Sequence, residues 1–174
     1  MIIQQSNFGT ERIIRSGVHE GKYCYGDHIH QFCELVWVLD GEIEMTVHGK
    51  TEVAHRGEMT VITPFAVHSF NTKDYSKILI AVISDSFILG HVSRDELYTS
   101  RERSTFRLSE ELSALLVAKD FIRLCTTQYQ HRNDNYYLHT ISSLVYMIFV
   151  EYFNTSPVVS TSATKLPFPQ SSYI

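Results

Sequence analysis

The sequence lacks an excess of positive charge. Its 174 residues include 15 lysine and arginine side chains against 19 aspartate and glutamate side chains, which gives a formal net charge of −4. Proteins that bind the phosphates of a nucleic acid usually carry a basic surface or stripe. We therefore do not expect these residues to bind DNA by themselves.

The sequence also lacks paired cysteines and long apolar runs. Its three cysteines, Cys24, Cys33 and Cys125, are irregularly spaced and fit neither a disulfide framework nor a zinc finger. The longest apolar run, residues 144–150, is too short to cross a membrane. The N-terminal residues show no signal peptide. Together these absences predict a cytoplasmic protein that does not interact with a membrane.

The first half of the sequence consists of short β-prone runs separated by turn residues. Aromatic and β-branched residues alternate with polar ones, and Gly, Pro and Asx-Gly punctuate the runs. Many short strands at this spacing are typical of a β-sandwich or a barrel. We therefore expect an antiparallel β-barrel or jelly roll, so that the protein is mainly β.

The second half of the sequence has a helical period. Residues 109–129 and 134–153 each place apolar side chains on one stripe, and Ser109 and Asn133 or Asp134 are suitable N-caps. The two stretches predict two antiparallel helices after the barrel. The predicted division of the chain is a barrel over residues 1–90, a polar segment with two helices over 91–153, and a linker rich in Ser, Thr and Pro over 154–174.

The second predicted helix is apolar on more than one face. Its stripe can cover the first helix and the barrel, yet Tyr146, Met147, Val150 and Phe153 fall on other faces. Apolar side chains left on a surface usually mark an interface. A two-fold partner could cover this face, so we expect a homodimer.

An Asp-Gly pair suggests how the central strands are aligned. Asp40-Gly41, between two alternating runs, predicts a type I′ hairpin. In that hairpin Val38 faces Ile43 and Val36 faces Met45. Because this face is apolar on both strands, it should point into the barrel.

Three polar residues fall on the same inner face. Counting backward by twos from Val36 along one strand reaches Glu34, His30 and His28, and His68 can join them from a second stretch. Buried imidazoles and a carboxylate need partners. A bound ligand, trapped water, a further side chain or a divalent ion such as zinc, nickel, manganese or iron would each supply one.

These residues resemble the signatures of a known superfamily. The pattern His28-x-His30-x-x-x-Glu34 followed by Gly41 resembles the first signature of the cupins, and Gly57, Pro64, His68 and Asn71 resemble the second. The order of barrel, two helices and linker, with "HSF" at residues 68–70, is most similar to the N-terminal effector-binding domain of AraC-type transcription regulators. The resemblance covers about residues 20–153.

The resemblance implies a regulatory function rather than catalysis. It implies a small-molecule effector such as a sugar, a homodimer, and contact with DNA only through a C-terminal helix-turn-helix module beyond these 174 residues. A metal-dependent cupin enzyme, such as a small dioxygenase or isomerase, is the alternative. The expected ligand-binding residues are His28, His30, Glu34, Val36, Met45, His68 and Phe70, of which His28, His30, Glu34 and His68 are also the candidate metal ligands.

Overall fold

The strands form where the sequence alternates. A computed structural model of the protein describes residues 3–5, 13–90, 92–127, 130–131 and 134–159. The strands of these residues are β1 (Ile3–Gln5), β2 (Ile13–Gly21), β3 (Cys24–His30), β4 (Cys33–Val47), β5 (Lys50–His55), β6 (Glu58–Ile62), β7 (His68–Asn71), β8 (Ser76–Ile83) and β9 (Thr105–Arg107). The helices are α1 (Asp85–Ile88), α2 (Arg94–Tyr98), α3 (Glu110–Ala118), α4 (Phe121–Thr126) and α5 (Asn135–Thr155).

Strand β4 is the centre of the barrel because it belongs to both of its walls. Its first part pairs with β6 and β8, and its second part pairs with β5 and β7. β2 continues the first wall beside β8, and β3 continues the second beside β7. These pairings are antiparallel, whereas β1 runs parallel to β3. The prediction of a mainly antiparallel barrel followed by helices is confirmed.

The predicted hairpin at Asp40-Gly41 was wrong. Strand β4 runs straight through these residues, and its register with β8 shifts by one residue between Val38 and Asp40, as in a β-bulge. The two-residue turn lies instead at His48-Gly49, where both residues have positive φ and Val47 pairs with Lys50. Asp40-Gly41 suits a two-residue turn, yet here it lies in a continuous strand beside a bulge.

Two cores lie on opposite faces of β4 and β8. The inner core fills the barrel, and it includes Val36, Val38, Ile43, Met45 and Phe70. The predicted inward face is thus correct. A one-residue bulge between Val38 and Ile43 places both side chains on the same face of the strand, as a two-residue turn would. The outer core lies between the barrel and the helices, and it includes Leu35, Trp37, Phe121, Ile141 and Phe149.

The first predicted helix was wrong as a single element. The described part of this stretch forms two helices, α3 and α4, separated at Asp120, whose φ of 50° lies in the left-handed region. The side chain of Asp120 accepts a hydrogen bond from the backbone N–H of Arg123 and so caps α4. Ser109 caps α3 as predicted.

The second predicted helix is confirmed as α5, with Asp134 as its N-cap. Its buried side chains include six that form one apolar stripe: Tyr137, Ile141, Leu144, Val145, Ile148 and Tyr152. Tyr146, Met147 and Val150 are exposed, as the sequence analysis expected. For Phe153 that expectation was wrong, because its side chain is half-buried and packs against the outer core. The segment before α3 was hard to assign from the sequence, and it contains β9, which pairs with β6 of the barrel. Most of the predicted linker lies outside the described residues.

A search for membrane spans among the described helices found none that is long and apolar enough.

Candidate functional site

Three neighbouring strands bring the four predicted polar residues together inside the barrel. His28 and His30 lie on β3, His68 begins β7 and Glu34 lies on β4. His28 and His68 are direct cross-strand partners, and their ring centroids are 3.9 Å apart. All four side chains are buried, with at most 3% of any residue exposed. The predicted inward placement of the cluster is confirmed.

The path of the chain to this cluster differs from the predicted one. The sequence analysis placed His28 to Glu34 on one uninterrupted strand, but β3 ends at His30 and a two-residue bend precedes β4. β3 also contains a bulge between Tyr25 and His28, at Gly26-Asp27. The bulge sets the alternation so that His28 points inward opposite His68.

Each histidine is oriented by a backbone carbonyl two residues away. Nδ1 lies 3.0 Å from the oxygen of Gly26 for His28, 3.0 Å from that of Phe32 for His30, and 2.8 Å from that of Ala66 for His68. A carbonyl oxygen only accepts, so each Nδ1 carries the proton and donates. The Nε2 atoms are then left to face the interior, which is the arrangement that fixes histidine ligands in metal sites.

Glu34 is the only charged partner of the histidines in this cluster. Its Oε2 lies 2.9 Å from Nε2 of His30 and 3.6 Å from Nε2 of His68. Burial raises the pKa of the Glu34 carboxyl, but the hydrogen bond with His30 and the electrostatic attraction of His30 and His68 outweigh burial and lower it to about 2. Glu34 is therefore an ionised carboxylate at neutral pH.

The cluster has one unsatisfied nitrogen. Among the described residues, Nε2 of His68 is buried and has no hydrogen-bond partner. In His30, Nε2 faces Glu34 and needs either a second proton or a cation to bridge to the carboxylate. Burial lowers the pKa of His28, with the charge of His68 acting in the same direction, so His28 favours its neutral form. Neutral imidazole is the form that binds metals.

The four residues fit a divalent metal ion. Three imidazole nitrogens and one carboxylate form a donor set suited to zinc, iron, manganese or nickel. Their candidate ligand atoms all lie within 4.8 Å of one another. Two ligands on opposite sides of an ion at about 2.1 Å would be about 4.2 Å apart. Atoms that share one ion can be no farther apart than this, so any pair separated by nearly 4.8 Å would have to move closer together to hold one.

The apolar residues predicted to bind a ligand surround this cluster. Val36 and Met45 are buried in the inner core, as is Phe70, whose ring centroid lies 5.6 Å from that of His68. Their role in ligand binding stays a prediction. Sequence analysis did not include Tyr25 in the site, yet its ring contacts His28 edge-on with 4.5 Å between centroids. It also missed the three carbonyl acceptors, because backbone contacts leave no signal in side-chain identity.

Comparison with known proteins identifies the barrel. Residues 16–83 match the family described as Cupin domain. Together with the observed strands, this match shows that the chain contains a cupin fold followed by helices. No curated protein sequence matches the chain significantly.

Solved structures are similar to this chain over different lengths. ToxT from Vibrio cholerae is 11% identical with a TM-score of 0.55, and the match covers 88% of this chain and 61% of that one. ToxT from Vibrio cholerae O395, bound to (E)-4-(8-methylnaphthalen-1-yl)but-3-enoic acid, is 12% identical with a TM-score of 0.53, and covers 83% and 58%. Protein NMB1881 from Neisseria meningitidis is 16% identical with a TM-score of 0.37, and covers 46% and 89%.

At these identities the likeness concerns the fold alone. The chain spans about three fifths of the length of the ToxT chains that it matches.

Proposed function

We propose that this chain is the small-molecule effector-binding and dimerisation domain of a bacterial AraC-type transcription regulator. The observation that carries the proposal is the helical layer on the outer face of the barrel, which leaves the polar inner cluster inside the barrel untouched. The sequence resemblance and the ToxT fold likeness, which extends over both barrel and helices, support it. That one ToxT structure holds a small acid supports a small-molecule effector.

The structure offers a physical route from an effector to the helices. On β4, Glu34 and Val36 face the interior, whereas Leu35 and Trp37 belong to the outer core. The Trp37 ring packs near that of Phe121 on α4, with 6.5 Å between centroids. If β4 can occupy two locations, an effector that binds better to one of them shifts the equilibrium toward it. The helices pack on the other face of β4, so their packing would shift as well.

The alternative is a metal-dependent cupin enzyme, and the unsatisfied Nε2 of His68 favours keeping it. His28, His30, Glu34 and His68 would hold the ion through three imidazoles and one carboxylate. A bound divalent ion would act as a Lewis acid that polarises an oxygen of a substrate. The protein's own contribution would be the orientation of the rings by the backbone carbonyls and the exclusion of water by Phe70 and Met45.

The coding sequence beyond residue 174 and the metal content together separate the two functions. A regulator requires the reading frame to continue into a helix-turn-helix module. A reading frame that ends at Ile174, combined with one equivalent of a divalent metal in the untreated protein by elemental analysis, would contradict the regulator and favour the enzyme. Metal in a chain that does continue into such a module would indicate a structural or effector-binding ion.

A further inference from the structure

The inner face of β2 carries a basic side chain at the barrel wall. Antiparallel pairing places residues of β2 and β8 side by side on the same face. The pairs on the inner face are Arg15 with Val82, Gly17 with Ile80, and His19 with Ile78. The β8 partners are part of the inner core or pack against it. Ser16 points the other way, since its hydroxyl donates to the carbonyl of Cys125 beside the helices.

This wall is more open than the rest of the interior. Arg15 is exposed and His19 is half-buried, whereas the inward residues of β4 are buried. An added Cβ on Gly17 would meet only Nε2 of His19 within 4 Å, at the ordinary contact distance of 3.7 Å, so a Cβ fits there without a clash. Within the described part of the chain, Arg15 has no ion-pair or hydrogen-bond partner.

Aromatic rings connect this wall with the histidine cluster. The His19 ring lies 4.6 Å from that of Tyr23, and the Tyr23 ring lies 5.8 Å from that of Phe70. Phe70 in turn contacts His68, whose Nε2 is buried and unsatisfied. Burial raises the pKa of Tyr23, the charge of Glu34 raises it further, and the charge of Arg15 lowers it. The Tyr23 hydroxyl therefore lies within electrostatic reach of both Glu34 and Arg15.

We propose that this wall binds a small carboxylate with an apolar body, and that such an acid is the effector of the domain. Its carboxylate pairs with the Arg15 guanidinium, which offers a planar fork of donors. Its body lies along Tyr23 and Phe70, and its far end approaches His68. A sugar would need polar partners along its whole length, whereas Val82, which lies between Arg15 and Glu34 across the sheet, is aliphatic, and Tyr23 and Phe70 are aromatic. The identity of this ligand class rests on the proposed function.

Isothermal titration calorimetry of the whole chain tests the site with benzoate and octanoate against benzamide and octanamide. Each acid and its amide share a shape and differ in charge. We expect at least one acid to bind about tenfold or more tightly than its amide. Arg15→Gln should remove that preference and Arg15→Lys should keep part of it. Arg56→Gln, an exposed arginine in the turn after β5, should change nothing.

A second variant tests the space rather than the charge. Gly17→Leu would add a bulky apolar side chain to the inner wall beside His19, at a residue whose backbone φ is not positive. It should weaken binding of the acid by about tenfold or more while the circular dichroism spectrum and melting temperature stay close to those of the wild type. Equal affinity for acids and amides, no binding at millimolar concentration, or an Arg15→Gln variant that keeps the preference would each overturn the proposal.

The outcome also separates this proposal from the proposed function. A neutral effector that binds despite Arg15→Gln would end the carboxylate proposal and leave the regulator intact. A coding sequence without a helix-turn-helix module would end the regulator, while the titrations would still report a carboxylate site.

Discussion

At the scale of the residue, the site depends on contacts that side-chain identity does not reveal. His28, His30, Glu34 and His68 could be selected from the sequence because buried polar residues on an apolar face are unusual. Their orientation could not be predicted, because the acceptors that fix the rings are backbone oxygens placed by the bulge in β3, by the bend at residues 31–32 and by the turn before β7. The buried cluster gathers three inward Nε2 atoms and a carboxylate.

The charge of Glu34 makes the protein sensitive to acid. The folded pKa of Glu34 is about 2 against an ordinary value of 4.5, so its contribution to stability is present above pH 4.5 and is lost as the pH falls toward 2. The pKa of His28 is also lowered in the folded protein. Below about pH 6.5 the unfolded chain therefore binds a proton at His28 more readily than the folded protein does, which lowers the stability further. We expect the free energy of unfolding to fall steadily as the pH falls from 7.

Urea denaturation at several pH values measures this dependence. In the Glu34→Gln variant the loss between pH 4.5 and 2 should be smaller by about 3 kcal/mol. Glu110→Gln, at an exposed position in the first turn of α3, serves as the control and should follow the wild type. A wild-type profile that coincides with that of Glu34→Gln would contradict the ionised, hydrogen-bonded carboxylate.

At the scale of the element, β4 shows why the face was predictable and the connection was not. Alternation fixed which residues of β4 point inward, since the apolar set Val36, Val38, Ile43 and Met45 must share one face. A turn and a bulge between Val38 and Ile43 would both place these two side chains on the same face. Which of the two occurs depends on the neighbouring strands, and their positions are not encoded in this stretch alone.

The path of β4 just after its bulge depends on Gly41. Its φ is +70°, and a Cβ on this residue would lie 2.4 Å from the carbonyl oxygen of Tyr75. We expect Gly41→Ala to destabilise the protein by roughly 2–4 kcal/mol, from the left-handed conformation and the clash with a backbone atom. Gly26→Ala is the control, since a Cβ there would meet nothing within 4 Å and φ is not positive. Equal unfolding midpoints in urea for the two variants would contradict this account.

The helices show a related limit. α5 was predictable because its apolar stripe continues for 21 residues and begins at a capping aspartate. The break between α3 and α4 was not, because Lys119-Asp120 carries no proline or glycine. Asp120 reaches the left-handed region and caps the next helix with its own side chain. Aspartate is among the few residues that adopt this conformation readily.

At the scale of the whole molecule, the inner and outer cores share the strands β4 and β8. Ile78 and Ile80 of β8 face the barrel, and Leu79 and Ala81 between them face the helices. A change of packing on one side of these strands therefore alters the packing on the other side. This shared wall is the physical basis for linking effector binding to the helical surface.

The exposed face of α5 leads us to expect a homodimer. Tyr146, Met147 and Val150 are each about two-fifths exposed on a helix whose other side is buried. Analytical ultracentrifugation at tens of micromolar should give a dimer for the wild type and a monomer for Met147→Glu combined with Val150→Glu, because burying unpaired carboxylates is costly. Val117→Glu, on α3 and more exposed, should stay dimeric.

A wild-type monomer at that concentration would end the dimer proposal. A dimer that survives both glutamate substitutions would place the interface on another surface.

Native mass spectrometry of the untreated protein tests the central claim, that the barrel interior binds a small molecule, most directly. We expect the wild type to carry a non-covalent small molecule that is released on denaturation. Gly17→Leu, which fills the inner wall, should give the polypeptide without that molecule. A wild type that carries nothing, or the same molecule retained by both proteins, would contradict binding inside the barrel.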